Sequence, residues 1–189
     1  MLKNLVLKNR SYRRFFQEHK VEKNLLVDLI DLARLSASAK NSQPLKYYVS
    51  NSNELNKQIF STLAWAGFLK DWDGPKEGEQ PSAYIVITID KSITDNNFCD
   101  HGIATQSILL GAVEKELGGC IIAAVNRKKL TDILSLPNNL EIIQVIAIGK
   151  PKEEVKIYEI NKDDDTKYWR DEQAVHNVPK RKLDDIIMN

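Results

Sequence analysis

The residues best suited to chemistry stand near the amino terminus. There Arg10-Ser11-Tyr12-Arg13-Arg14-Phe15 brings three guanidinium groups and a hydroxyl within five residues, and the first acid downstream is Glu18. A guanidinium is a planar fork of donors that matches phosphate oxygens, and a neighbouring hydroxyl extends the cradle. This set suits one dianionic phosphate monoester; the alternative for the same residues is a solvated basic face. A second cluster, Ser36-Ala37-Ser38-Ala39-Lys40-Asn41-Ser42-Gln43-Pro44, offers short hydroxyls and amides that donate and accept. It can track a polyol chain or the rim of a heterocycle, or serve as a helix-to-strand turn, which uses the same residue types. Gly118-Gly119-Cys120-Ile121-Ile122-Ala123-Ala124-Val125 lets backbone approach a flat ring, or simply stops a helix before a core strand. Pro179-Lys180-Arg181-Lys182 is a short basic patch near the carboxyl end.

Other chemistries have no carrier. The two cysteines, Cys99 and Cys120, form no CxxC pair, and His19, His101 and His176 fall in no HExxH or HxE pattern. Nucleophile elbows, phosphate-binding P-loops and the GxGxxG dinucleotide fingerprint are absent from the sequence. No metal site is expected, and the weight moves to a bound organic cofactor or to no catalysis. With 27 Lys+Arg against 26 Asp+Glu the formal charge is +1, which gives no general grip on nucleic acid or anionic lipid. The longest apolar stretches fall far short of the roughly 20 residues that span a bilayer, and no secretory h-region opens the chain. A cytoplasmic, reducing setting is expected.

Elements must hold these clusters in place. Apolar spacing predicts helices over 22–35, 53–64 (capped by Asn53), 98–117 and 127–134 (capped by Asn126), the third ending at Gly118-Gly119. Helix 98–117 is the candidate central helix, because Gly102, Ala104, Gly111 and Ala112 allow close packing on several sides. Strands are predicted at Lys46–Ser50, Ala83–Asp90, Cys120–Val125 and Glu141–Gly149; the last three are nearly continuous apolar runs, as in strands covered on both faces. Helices on a small sheet give an α+β or α/β arrangement. The length suits a single domain over 1–189. From Lys150 to Lys182 the chain is dense in mixed charge and unable to build its own core. With Tyr158, Tyr168 and Trp169 it reads as an arm strapped across its parent domain or onto a partner subunit.

In this order and with these gaps, the clusters resemble the nitroreductase family of FMN-dependent oxidoreductases. Arg10 to Phe15 looks like the family's N-terminal RRSxRxF element, and Ser36 to Pro44 like its SPSxxNxQPW element. Gly102 to Cys120, Leu136-Pro137, Ile146 to Pro151 and the Pro-Lys-Arg-Lys-Leu ending look like its later half. The resemblance implies an α+β fold: a central antiparallel or mixed sheet flanked by helices, with a C-terminal arm (150–189) extending onto a dimer partner. It implies a homodimer with FMN at the subunit interface, NADH or NADPH as co-substrate, and a small acceptor such as a nitroaromatic or quinone. It implies that Arg10, Ser11 and Arg13 hold the phosphate and ribityl end, with Lys180 and Arg181 returning to the phosphate. Ser38, Asn41 and Gln43 would meet the ribityl chain and ring edge from the neighbouring subunit, and backbone at Ala123 and Ala124 would face the isoalloxazine N5. No side chain is assigned a catalytic role. An FMN-binding or flavin-scavenging protein without efficient turnover is the alternative. Three positions depart from the family pattern: Asn9 where an arginine is common, Leu45 where a tryptophan is, and Ala123 where a glycine is. The segment Trp65 to Pro75 is the expected wall of the acceptor pocket, and Lys40 is placed near the ring or in solvent.

Overall fold

A computed structural model describes residues 2–69 and 71–188. Four strands, β1 (Leu45–Ser50), β2 (Ala83–Asp90), β3 (Gly118–Ile122) and β4 (Leu140–Gly149), form an antiparallel sheet in the order β1-β2-β4-β3. Every residue of β2 is buried, and its side chains alternate between two cores as the strand pleat requires. Ala83, Ile85 and Ile87 join Ile146 and Ile148 on one face, while Tyr84 and Val86 join Val145 and Ala147 on the other. Helices α2 (Lys23–Arg34) and α4 (Asp100–Glu114) close the first core; α3 (Asn53–Phe60) and α5 (Arg127–Leu134) close the second. Both faces of the sheet are therefore covered, and the fold is α+β as expected. A short helix α1 (Leu2–Lys8), with no buried residue, was not foreseen because it has no core-facing stripe.

The predicted boundaries shift where tertiary contacts override local signals. Helix α3 is capped by Ser52, whose Oγ accepts the Leu55 N–H at 3.3 Å, one residue before the expected Asn53. It ends at Phe60 rather than 64, because Leu63 leaves the helix to pair with Val125 in a β-bridge. Helix α4 stops at Glu114, and Glu116 takes the left-handed φ of 59° that a glycine was expected to supply. Gly118 and Gly119 instead open β3, and the strand ends at Ile122 rather than Val125. Close approach is the reason. A Cβ on Gly118 would stand 2.4 Å from the Tyr12 ring, and one on Gly119 2.6 Å from the Ala147 carbonyl oxygen. Gly111 acts as expected, since Leu32 and Leu29 of α2 press onto α4 there. Helix α5 matches its prediction, with the Asn126 side chain accepting from the Lys129 N–H at 3.1 Å.

The carboxyl-terminal segment has more order than its composition suggests. Strands β5 (Val155–Ile160), β6 (Trp169–Arg170) and β7 (His176–Arg181) make a second sheet in the order β5-β7-β6, with β5 parallel to β7. Pro179 is tolerated in the middle strand because β6 covers only His176 and Asn177, so no second partner needs its missing N–H. Within the single chain this sheet docks on its own domain. Phe15 bridges Pro151, the Lys152 N–H reaches the Arg14 carbonyl at 2.9 Å, and Glu153 receives both the Arg13 N–H and the Arg170 guanidinium. Among the described residues no helix is long and apolar enough to cross a membrane, and no group of His, Cys, Asp and Glu is placed to hold a metal.

Candidate functional site

The Arg10–Phe15 stretch runs extended beside the free edge of the main sheet. Ser11 pairs with Gly119 in a parallel bridge, and the Tyr12 N–H donates to the Gly119 carbonyl at 3.0 Å. Extension splits the motif by alternation. Arg13 turns to one side with Ser11, while Arg14 turns to Glu79, its Nε 3.3 Å from a carboxylate oxygen. Phe15 is fully buried against Gly149.

Arg10, Ser11 and Arg13 line one cavity of about 290 Å³ together with Gly119, Ile121, His176 and Lys180. Its electrostatics are the informative part. Among the described residues neither Arg10, Arg13 nor Lys180 forms an ion pair, although the Arg13 residue is only 9% exposed. The nearby carboxylate, Glu153, is engaged by the backbone N–H of Arg13 and by the Arg170 guanidinium at 2.9 Å. Arg10 Nε is shielded from solvent and has no hydrogen-bond partner among the described residues. Cations without carboxylate partners around a concave surface can receive an anion.

The strand edge continues this cavity into a second one of about 230 Å³, lined by Trp65, Ala66, Gly67, Cys120, Ala123 and Ala124. Arg13, Ile121 and Tyr168 border both. Ile121 is 47% exposed, an apolar side chain on an uncovered strand edge. Past the end of β3, residues Ala123 and Ala124 are exposed, and their N–H groups donate to no group among the described residues. An apolar ledge flanked by free backbone donors suits a flat heterocycle with a polar rim. Cys120 turns inward beneath this ledge. Burial pushes its thiol pKa up to about 11, so the group is a neutral wall rather than a nucleophile.

The remaining expected residues lie elsewhere. Ser38 and Gln43 line a separate cavity of about 210 Å³ with Tyr47 and Asp100, and Asn41 is exposed beside it. Asp100, buried at the first turn of α4, accepts from Ser38 Oγ at 2.6 Å and from the Ala39 N–H at 2.8 Å, and the Gln43 N–H donates to Ser38 Oγ at 2.9 Å. These bonds hold a tight loop in which Lys40, Asn41 and Gln43 all have φ just above 50°, in the left-handed region. Lys40 Nζ lies 6.0 Å from the Phe98 ring centroid. Within one chain this loop does not join the Arg10–Arg13 cavity. Arg181 is likewise turned away, its guanidinium donating to the Lys162 carbonyl. In the Trp65–Pro75 segment, Trp65, Ala66 and Gly67 wall the second cavity, Trp72 stacks under the Arg170 guanidinium at 4.2 Å, and Lys70 lies outside the described residues.

Two residues of the site went unread in the sequence. Tyr168 lays its ring 4.7 Å from the Arg13 guanidinium carbon, and His176 Nε2 lies 3.2 Å from an Arg13 NH. The available signal is period-two spacing: His176, Val178 and Lys180 share the face of β7 toward the cavity, which Arg181 lacks.

Comparison with known proteins agrees with this architecture. The profile described as the nitroreductase family matches residues 6–150. An Archaeoglobus fulgidus protein whose name proposes NADH dehydrogenase/NAD(P)H nitroreductase activity is 25% identical over 154 residues, covering 77% of this chain and 83% of that one. The crystal structure of a nitroreductase family protein from Clostridium novyi NT is 26% identical with a TM-score of 0.65, covering 80% of this chain and 86% of that one. An FMN-dependent nitroreductase from Clostridium difficile R20291 is 27% identical with a TM-score of 0.65, covering 79% and 87%.

Proposed function

The chain belongs to the nitroreductase family, and from that premise we propose that it is an FMN-dependent oxidoreductase taking hydride from NADH or NADPH and passing electrons to a small acceptor such as a nitroaromatic or quinone. One observation carries the reading: two guanidinium groups without a carboxylate partner among the described residues share a cavity that runs on into an apolar strand edge. A flavin mononucleotide has the same polarity, a dianion at one end and a flat ring at the other. The donor set fits it.

Arg10, Ser11, Arg13 and Lys180 hold the phosphate. Ile121 and the backbone at Ala123 and Ala124 would receive the ring, and N–H dipoles there would favour its reduced, negatively charged form. When bound, the flavin supplies the hydride and electron transfer; the protein binds, orients and screens water, and no side-chain acid or base is assigned. Trp65, Gly67 and Tyr168 wall the acceptor side.

The loop of Ser38, Asn41 and Gln43 completes the ribityl contacts from a second copy of the chain, which makes the protein a homodimer. Ile103 on α4, 39% exposed, and the apolar end Leu183, Ile186, Ile187 and Met188, each more than half exposed, support a partner surface and an arm reaching toward it. Two cysteines left free suit a reducing, cytoplasmic setting.

The test is a spectrum. Purified protein loaded with FMN is yellow and bleaches anaerobically with NADH or NADPH, and an acceptor panel restores the colour. Protein that stays colourless in excess FMN refutes the cofactor reading, and yellow protein that no nicotinamide bleaches points to the scavenging alternative.

A further inference from the structure

We propose that His176, together with Tyr168, is a positioning residue that aims the Arg13 guanidinium at the cofactor phosphate without neutralising it. The inference rests on the FMN reading above, and both residues come from the segment that follows the region matched by the family profile.

Arg13 needs such a device. Its side chain is mostly buried, and among the described residues no carboxylate pairs with its charge. An arginine left to itself samples many rotamers, and fixing one costs entropy at the moment of binding. Here the guanidinium is held on three sides: its NH1 donates to the Ser11 carbonyl at 3.3 Å, the same nitrogen lies 3.2 Å from His176 Nε2, and the Tyr168 ring covers its face at 4.7 Å. Tyr168 and His176 also pack on each other, ring centroids 5.0 Å apart.

The chemistry of the partner matters. Arginine only donates, so the facing imidazole nitrogen must accept, and His176 must be neutral with its proton on Nδ1. Burial and the adjacent Arg13 and Arg170 charges lower the imidazole pKa to about 4, which keeps it neutral near pH 7. A carboxylate at the same place would orient Arg13 equally well but cancel the charge that the phosphate requires. The carboxylate that is close by, Glu153, bonds the backbone of Arg13 and the head of Arg170 instead. A neutral acceptor therefore preorganises the cation and leaves its charge available.

Flavin fluorescence titrations with FMN and with riboflavin, which lacks the phosphate, test this. His176→Phe keeps a planar ring but removes the acceptor, and weakens FMN about five- to tenfold while riboflavin affinity falls less, because Arg13 also borders the ring cavity. His176→Gln, whose amide oxygen can accept from Arg13, retains most of the FMN affinity. His176→Glu loses at least as much as the Phe variant, again more for FMN than for riboflavin. If the Phe variant does not fold, the near-isosteric Gln and Glu pair decides the matter alone, with Glu binding FMN about tenfold more weakly than Gln. An FMN-to-riboflavin ratio equal to wild type in the folded Phe or Glu variant overturns this inference and leaves the cofactor reading standing. Wild-type protein that binds FMN no better than riboflavin overturns both.

Discussion

Replacing Gly119 by alanine puts the junction between site and sheet to a quantitative test. Gly119 pairs with Ile148 across the β3–β4 ladder, and its carbonyl accepts the Tyr12 N–H that anchors the arginine motif. An added Cβ would stand 2.6 Å from the Ala147 carbonyl oxygen and 2.6 Å from Leu109 Cδ2, whereas non-bonded carbons settle at about 3.5–4.0 Å. The Leu109 methyl can rotate aside. The carbonyl belongs to an inner strand and cannot, so relief requires β3 to lift away from β4. Overpacking of this kind costs about 1–3 kcal/mol, and weakening one ladder bond adds about 1 kcal/mol. The expected loss is about 2–4 kcal/mol, or roughly 5–15 °C in Tm for a chain of this size. Gly67→Ala is the matched control: among the described residues nothing lies within 4 Å of its added Cβ, so stability stays within about 0.5 kcal/mol or rises by up to about 1 kcal/mol. Urea unfolding of cofactor-free protein, followed by tryptophan emission, measures both. Equal midpoints for Gly119→Ala and wild type would refute the packing argument.

Arg13→Ala removes one charge-assisted contact to the phosphate and weakens FMN by about 1–3 kcal/mol in fluorescence titration, with riboflavin weakened less; undiminished FMN affinity removes Arg13 from the site. His176 gives a pH signature. Its folded pKa lies near 4, below the ordinary 6.5, so as pH falls from about 6.5 to 4 the unfolded chain takes up a proton that the native state refuses. Stability present above pH 6.5 is lost through this window, by up to about 3 kcal/mol. Urea midpoints of wild type should fall more steeply there than those of His176→Gln, and parallel curves would contradict the assignment. At pH 8 a maleimide should modify exposed Cys99 and spare buried Cys120 until the protein is unfolded; mass spectrometry showing two fast modifications in the native state would disprove the burial of the second thiol.

Local chemistry made a large part of the protein legible before any coordinate. The nearly continuous apolar run of Ala83–Asp90 and the 3.6-residue stripe of α2 pointed to a sheet covered on both faces, because only burial on two sides stabilises runs so uniformly apolar. Residue type alone left the arginines at 10 and 13 two readings, a phosphate cradle or a solvated basic face, since it fixes their donor geometry but not where they point. The role of Gly118 and Gly119 lay outside that reach. A glycine pair after a helix signals a stop, and only the approach of Tyr12, Leu109 and the Ala147 carbonyl shows why side chains are excluded there. The same holds for β5 to β7. Their residues are too polar to announce a core, yet pairing places His176 and Tyr168 against an arginine more than 150 residues earlier. Residue types determined which groups this chain can use; the through-space packing of distant segments decided which of them meet, because hydrogen bonds and steric contact act over a few ångströms and take no account of separation along the chain.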